Sequence, residues 1–146
     1  AILVWLDQTY PEPRLVPADP WLGAQVRAFA LIIATDIHPL NNLVPIGFHK
    51  SEFNADDAAV AKWYVHWNKL GFEALETQLA SRPQTQFAFG DEPTLAEVCL
   101  VPQCANARRF KFDFTAFPRL AAIDERARAL PAFIRAAPEN QKDAVR

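Results

Sequence analysis

The chain has 146 residues, of which 51% are hydrophobic and 22% are charged, and this length and composition are typical of one globular domain. The formal net charge of −2 at neutral pH argues against nucleic acid or an anionic membrane surface as the main partner. No uncharged apolar run reaches about 18 residues, so no membrane-spanning helix is predicted. Cys99 and Cys104 lack the spacing of a metal site, and we therefore expect no bound metal and a reducing, cytoplasmic compartment.

The beginning of the chain has the pattern of the last turns of a helix. Residues 1–9 carry apolar side chains at helical spacing, and no methionine occurs in the sequence. We therefore interpret the chain as a piece of a longer protein. Residues 11–20 contain four prolines, which favour an extended, semi-rigid linker at a domain boundary.

Two long amphipathic helices are predicted after the linker. The first begins at Asp19-Pro20, an N-cap followed by proline at the first helical position. Its apolar face comprises Val26, Phe29, Ala30, Ile33 and Ile37. The second begins near Asp56 and ends near Ser81, with an apolar face that comprises Val60, Trp63, Trp67, Leu70, Ala74 and Leu79. Tyr64, Gly71 and Leu75 lie alongside this face.

The segment from Thr94 to Glu97 has the sequence of a capping box, in which the threonine hydroxyl and the glutamate carboxylate satisfy each other's backbone N–H groups. The helix that follows is apolar on nearly all sides, which predicts a place at the centre of a bundle, and Pro102 predicts a kink in it. Two shorter helices are predicted from Pro118 and Pro131. Because no strand pattern occurs, the predicted fold class is all-α, a bundle of five or six helices.

Two polar clusters are candidate functional sites. The stretch DIHPLNN, residues 36–42, is either a helix end capped by its amides or a bend that presents polar groups to a ligand. Pro45 and Gly47, just beyond it, predict a short or broken helix. Arg108 and Arg109 end the central helix, where the helix dipole favours cations and where a guanidinium could also bind a carboxylate. Neighbouring helical residues point in different directions, so one arginine is expected to face inward.

Three motifs in this order resemble the C-terminal part of zeta-class glutathione transferases: AILVWLDQTYPEPRLVPADP, DIHPLNN and GDEPTLAEVCLVPQCANARRFKFDFTAFP. The class includes maleylacetoacetate isomerase and maleylpyruvate isomerase. The resemblance implies that residues 1–10 are the last helix of an N-terminal thioredoxin-like domain, that residues 11–20 are a linker, and that residues 21–146 are the all-helical glutathione-transferase C-terminal domain. It also implies that the motif activating the glutathione thiol lies upstream, so that these residues alone are inactive.

The resemblance further implies which residues meet ligands. His38, Asn42, Leu43 and Val44 match positions that contact glutathione, and Arg109 matches an arginine that meets a substrate carboxylate. Within this chain no residue is expected to be catalytic and none to bind metal.

The implied reaction is glutathione-dependent cis–trans isomerisation of a maleyl dicarboxylate, in the catabolism of aromatic compounds, by a homodimer. Maleylpyruvate-type relatives carry an arginine pair where this chain has Leu43 and Val44, which favours maleylacetoacetate as the substrate. The alternatives are a general glutathione transferase acting on haloacids or other small electrophiles, and a non-catalytic module of the same fold.

Overall fold

The computed structural model describes residues 1–144, and regular structure in this range is almost entirely α-helical. The seven α-helices are α1 Ile2–Thr9, α2 Pro20–Leu31, α3 Leu43–Phe53, α4 Asp57–Ala80, α5 Leu95–Arg109, α6 Pro118–Arg128 and α7 Pro131–Ala136. A π-helix, Ile32–Ile37, continues directly from α2, and a 3₁₀ turn, Pro138–Asn140, follows α7. Within the described range there is no strand, only one isolated bridge between Phe87 and Gly90. The all-α prediction is confirmed.

Helix α5 packs against both α2 and α6, while α4 packs against the π-helix and α6. The predicted core face of α2 and its continuation is buried along its whole length, as are Leu100 and Cys104 of α5. The prediction of a central helix is therefore confirmed. Helix α5 continues through Pro102 as far as Arg109. No helix in residues 1–144 combines the length and hydropathy needed to cross a membrane.

The capping box at the start of α5 is present, and it also anchors the preceding loop. Glu97 is fully buried, and one of its carboxylate oxygens accepts from the N–H of Thr94 at 2.7 Å and from the hydroxyl of Thr94 at 3.0 Å. The other oxygen accepts from the N–H of Ala88 at 2.8 Å. One buried carboxylate thus fixes both the first turn of the central helix and the loop that leads into it.

The predicted apolar face of α4 is correct in part. Val60 and Leu79 are buried, and so are Tyr64, Gly71 and Leu75 beside them, whereas Leu70 and Ala74 are exposed. The prediction missed Asn68 and Phe72, which are also buried. Asn68 can be buried because hydrogen bonds to Tyr64 and Gln103 satisfy its side-chain amide. Hydropathy alone could not select Asn68, because an amide is expected at the surface.

Around Pro45 and Gly47 the sequence predicts a short or broken helix, and of these two outcomes the broken helix is wrong. Helix α3 runs without interruption from Leu43 to Phe53, with Asn42 as its N-cap. Pro45 is the third residue of the helix, where the backbone N–H has no acceptor within the helix, so the missing donor costs nothing there. Gly47 lies in open surroundings on the exposed side.

The π-helix lies where α4 passes closest to it. A Cβ atom added at Gly71 would lie 2.2 Å from Cδ1 and 2.3 Å from Cγ1 of Ile37, the last residue of the π-helix. Ile37 is fully buried. The glycine of α4 therefore provides the space that Ile37 fills, and this contact fixes the point from which the following turn leaves.

We predict that Gly71→Ala lowers the free energy of unfolding by about 1–3 kcal/mol, because the added methyl group overlaps Ile37 in a packed core. Gly47→Ala is a matched control, since no atom of the described residues lies within 4 Å of its added Cβ. It should raise the free energy of unfolding by up to about 1 kcal/mol, because alanine favours helix more than glycine. Urea denaturation measures both, and a Gly71→Ala protein as stable as the wild type would contradict the predicted overlap.

The proline-rich segment after α1 is held by hydrogen bonds. The carboxylate of Asp7 is buried and accepts from the N–H of Leu15 at 2.6 Å and from that of Val16 at 3.2 Å. The carbonyl of Leu15 in turn accepts from the N–H of Leu95 at 2.9 Å. On α1 itself, Ile2 and Trp5 are largely exposed.

Candidate functional site

A cavity of about 640 Å³ lies between the turn that follows the π-helix and one face of α5. Its volume is within the range of small-molecule sites. Its wall consists of Ile33, Ala34, His38, Asn41, Asn42, Leu43, Tyr64, Cys99, Pro102, Gln103, Asn106 and Arg109. The wall is thus mainly apolar and amide-bearing, with one guanidinium.

Two aromatic side chains of α4 hold the turn that forms one wall. The indole N–H of Trp63 donates to the carbonyl of Leu40 at 2.7 Å, and the hydroxyl of Tyr64 donates to the carbonyl of Asn41 at 2.6 Å. The turn begins from the π-helix with the N–H of His38 donating to the carbonyl of Ile33 at 2.8 Å. These bonds fix the backbone of the turn, so its polar side chains are presented in a defined position.

Helix α5 forms the opposite wall. Cys99, Gln103, Asn106 and Arg109 are three or four residues apart, a spacing that places them on one helix face. Arg109 lies at the C-terminal end of this stripe. Within residues 1–144 its guanidinium forms no ion pair with a carboxylate, so it is available to a ligand anion.

The neighbouring arginine has a different environment. Arg108 and Arg128 both bind the fully buried carboxylate of Asp124. Arg108 therefore joins α5 to α6. Of the two arginines, Arg108 is the one that reaches a buried group, whereas Arg109 is exposed at the cavity wall, so the expectation of one inward-facing arginine does not single out Arg109.

Asn41 is an orphaned amide in the cavity wall. It is only 4% exposed, and within the described residues neither its side-chain nitrogen nor its oxygen has a hydrogen-bond partner. A buried polar group without a partner costs about 1–3 kcal/mol. Such groups are rare in folded proteins and often mark positions where function competes with stability.

The structure brings four of the five predicted ligand-contacting residues to this cavity, namely His38, Asn42, Leu43 and Arg109. Val44 is the exception, since it lies outside the wall, although Leu43 and Val44 are both 81% exposed. Consecutive residues of a helix point about 100° apart, so Val44 turns away when Leu43 faces the cavity. Asn42 has a structural task as well, because its side-chain oxygen accepts from the N–H of Leu43 at 2.6 Å.

Sequence reasoning did not assign Tyr64, Cys99, Gln103 and Asn106 to the site, although all four line the cavity. For α5 a signal was available: Gln103, Asn106 and Arg109 are polar and three residues apart in a helix that is otherwise mostly apolar. Tyr64 gave no such signal, because an aromatic residue on an amphipathic helix is expected in the core.

Two further observations concern the chemistry of the wall. Burial raises the pKa of the Cys99 thiol above its ordinary value of 9.0, so Cys99 is a weak nucleophile at neutral pH. Within residues 1–144, no three His, Cys, Asp or Glu side chains are grouped closely enough to hold a metal ion. The described residues of the wall can bind and orient a ligand through amides and one guanidinium.

Comparison with known proteins gives a consistent result. The family model described as "Glutathione S-transferase, C-terminal domain" matches residues 70–136. A maleylpyruvate isomerase from a Ralstonia species is 45% identical over 146 residues, which cover 99% of this chain and 69% of that protein.

Two solved structures share the fold. A holo structure of maleylpyruvate isomerase, described as a bacterial glutathione S-transferase of the zeta class, has 44% identity and a TM-score of 0.97, covering 99% of this chain and 68% of its own. The second is maleylacetoacetate isomerase from Anaeromyxobacter dehalogenans, with bound dicarboxyethyl glutathione and citrate in the active site. It has 37% identity and a TM-score of 0.92, and the match covers 99% of this chain and 64% of that protein.

The helical bundle and its cavity therefore define a domain of the glutathione-transferase type. The chain belongs to the zeta-class glutathione transferases, the family of the maleylacetoacetate and maleylpyruvate isomerases. It is a family of glutathione-dependent enzymes. The chain spans about two thirds of the length of the relatives it matches.

Proposed function

We propose that this chain forms the substrate-binding, helical part of a glutathione-dependent isomerase that converts a maleyl dicarboxylate into its trans isomer. The family membership supports the reaction class, and the free guanidinium of Arg109 in the wall of a ligand-sized cavity is the observation that carries the proposal. The proposed location is cytoplasmic, in keeping with the two free thiols, Cys99 and Cys104.

The cavity fits glutathione as the cofactor. A tripeptide presents amide groups, and Asn41, Asn42, Gln103 and Asn106 place side-chain amides in the wall. The orphaned amide of Asn41 is the strongest sign that a polar, peptide-like ligand belongs there. When bound, glutathione supplies a thiolate that adds reversibly to the activated double bond and so permits rotation.

The residues of this chain bind the acid and glutathione and orient them. Arg109 holds a carboxylate of the acid through charge-assisted hydrogen bonds. His38, Asn42 and Leu43 form the glutathione side of the cavity, and the bonds from Trp63 and Tyr64 to the turn keep that side in place. Val44, which lies outside the wall, is not part of this proposal.

The choice of acid depends on the cations available. Among the described residues that line the cavity, Arg109 is the only arginine or lysine, and the Leu43 side of this wall adds no charge. This supports an acid with one strongly bound carboxylate in this part of the site, and it favours maleylacetoacetate. The similarity to a maleylpyruvate isomerase keeps both acids as substrates to compare.

We further propose that α1 is the last helix of a thioredoxin-like domain, that residues 11–20 are the linker, and that the whole protein is a homodimer. The exposed apolar side chains of α1, Ile2 and Trp5 among them, support contact with another domain. Residues 1–146 alone are accordingly expected to be inactive.

The test is an isomerisation assay on the protein expressed from the complete gene, with maleylacetoacetate and maleylpyruvate, in the presence and absence of glutathione. We expect glutathione-dependent turnover, faster with maleylacetoacetate, and no turnover by residues 1–146 alone. Light scattering of the same preparation tests the dimer. Glutathione binding without turnover of either acid would contradict the isomerase and favour a transferase or a non-catalytic module.

A further inference from the structure

Gln103 is a buried residue that nevertheless belongs to the wall of the cavity. It is 3% exposed and lies on the face of α5 that also presents Asn106 and Arg109. Its side-chain nitrogen donates to the side-chain oxygen of Asn68 on α4 at 2.7 Å. The amide is thus held between two helices, with one side towards the cavity.

The direction of this amide is determined by a backbone carbonyl. The side-chain nitrogen of Asn68 donates to the carbonyl of Tyr64 at 2.7 Å. A carbonyl can only accept, so Asn68 must present its NH₂ group to Tyr64 and its oxygen to Gln103. Gln103 must then present its own NH₂ group to Asn68. The usual ambiguity between the oxygen and nitrogen of an amide is removed for both side chains.

The oxygen of Gln103 is consequently the atom left for the cavity. In the hydrogen bonds of residues 1–144, the amide of Gln103 takes part through its nitrogen, towards Asn68. An amide oxygen in such a place binds an N–H or O–H group and discriminates against a ligand that lacks one. It lies on the same helix face as Arg109, which binds the opposite kind of group, an anion.

We propose that Gln103, oriented by Asn68, is a specificity-determining residue that accepts a hydrogen bond from an N–H or O–H donor of the bound ligand. The inference rests on the proposed function. The donor belongs either to glutathione, which has an ammonium and amide groups, or to the enol hydroxyl of the acid, whose ionised carboxylates can only accept. Asn68 acts only through Gln103 and is a positioning residue.

The test compares wild type, Gln103→Met, Asn68→Leu and the double variant Asn68→Leu/Gln103→Leu of the full-length protein. The Kd of glutathione is measured by calorimetry, and KM and kcat are measured with the maleyl acid. Gln103→Met should weaken one ligand about tenfold, which corresponds to the loss of one buried hydrogen bond. Asn68→Leu should have a smaller effect on the same ligand, because Gln103 can then rotate.

The double variant guards against misfolding, since replacing both partners of a hydrogen bond by apolar groups is close to neutral for stability. Gln78→Met, on α4 but outside the cavity wall, is the control and should match the wild type. A raised Kd of glutathione assigns the donor to the tripeptide, and a raised KM of the acid with an unchanged Kd assigns it to the substrate.

A folded double variant with wild-type Kd and KM would overturn the role of Gln103 alone. A wild-type protein that neither binds glutathione nor turns over either acid would instead overturn the proposed function. The two failures are therefore distinguishable in one set of measurements.

Discussion

Replacing Glu97 with alanine is expected to lower the free energy of unfolding by about 3 kcal/mol or more. The substitution leaves the N–H groups of Ala88 and Thr94 without their acceptor in a buried place, and each such group costs about 1–3 kcal/mol. It also removes the cap of the central helix. Chemical denaturation followed by circular dichroism measures the change.

Glu97→Gln is the conservative variant, and it should lower the free energy of unfolding by less than Glu97→Ala does. Its amide can accept one of the two backbone N–H groups but must turn its own NH₂ group towards the other. Glu125→Ala, which removes an exposed carboxylate from α6, is the surface control and should change the free energy of unfolding by less than about 0.5 kcal/mol. Equal losses for Glu97→Ala and Glu125→Ala would show that the buried carboxylate does not organise the fold.

Arg109→Ala should lower kcat/KM for the maleyl acid by about tenfold to a hundredfold, the equivalent of about 1.5–3 kcal/mol for hydrogen bonds to a charged group. The thermal midpoint should stay close to that of the wild type, because Arg109 is exposed and forms no ion pair within residues 1–144. Arg109→Lys keeps the charge but loses the planar fork, and it should recover only part of the activity.

Substitution of Arg108 is expected to affect stability rather than activity. Arg108→Ala removes a partner of the buried carboxylate of Asp124 and should lower the thermal midpoint, while kcat/KM at a temperature below the transition changes little. If both variants lost activity and stability together, the separation between a ligand-binding and a structural arginine would be wrong.

The capping box, the helix starts at Asp19 and Asp56 and the buried face of α2 could be predicted because each depends on residues close together in sequence. The failures depend on distant partners. Asn68 is buried because Gln103 lies across from it. A pattern that scores each helix separately misses Asn68, since it counts an amide as a surface residue.

The candidate site divides in the same way. The turn that follows the π-helix could be assigned to the candidate site from the family motifs, and so could Arg109. Tyr64 could not be assigned in this way, because it contributes through one hydrogen bond to the carbonyl of Asn41. It does so from α4, a helix that begins 15 residues after Asn42. Pro45 misled the prediction because proline is permissive in a first turn and disruptive everywhere else in a helix. The effect of Pro45 could be judged only once Asn42 was known to be the N-cap of the helix.

The π-helix also determines which side chains the following turn presents. A π-turn holds one more residue than an α-turn, and one residue corresponds to about 100° of rotation about a helix axis. The residues after Ile37 therefore leave the helix in a direction that a continuous α-helix would not give them. The set of residues that faces the cavity can thus be changed by the number of residues in this segment as well as by substitution.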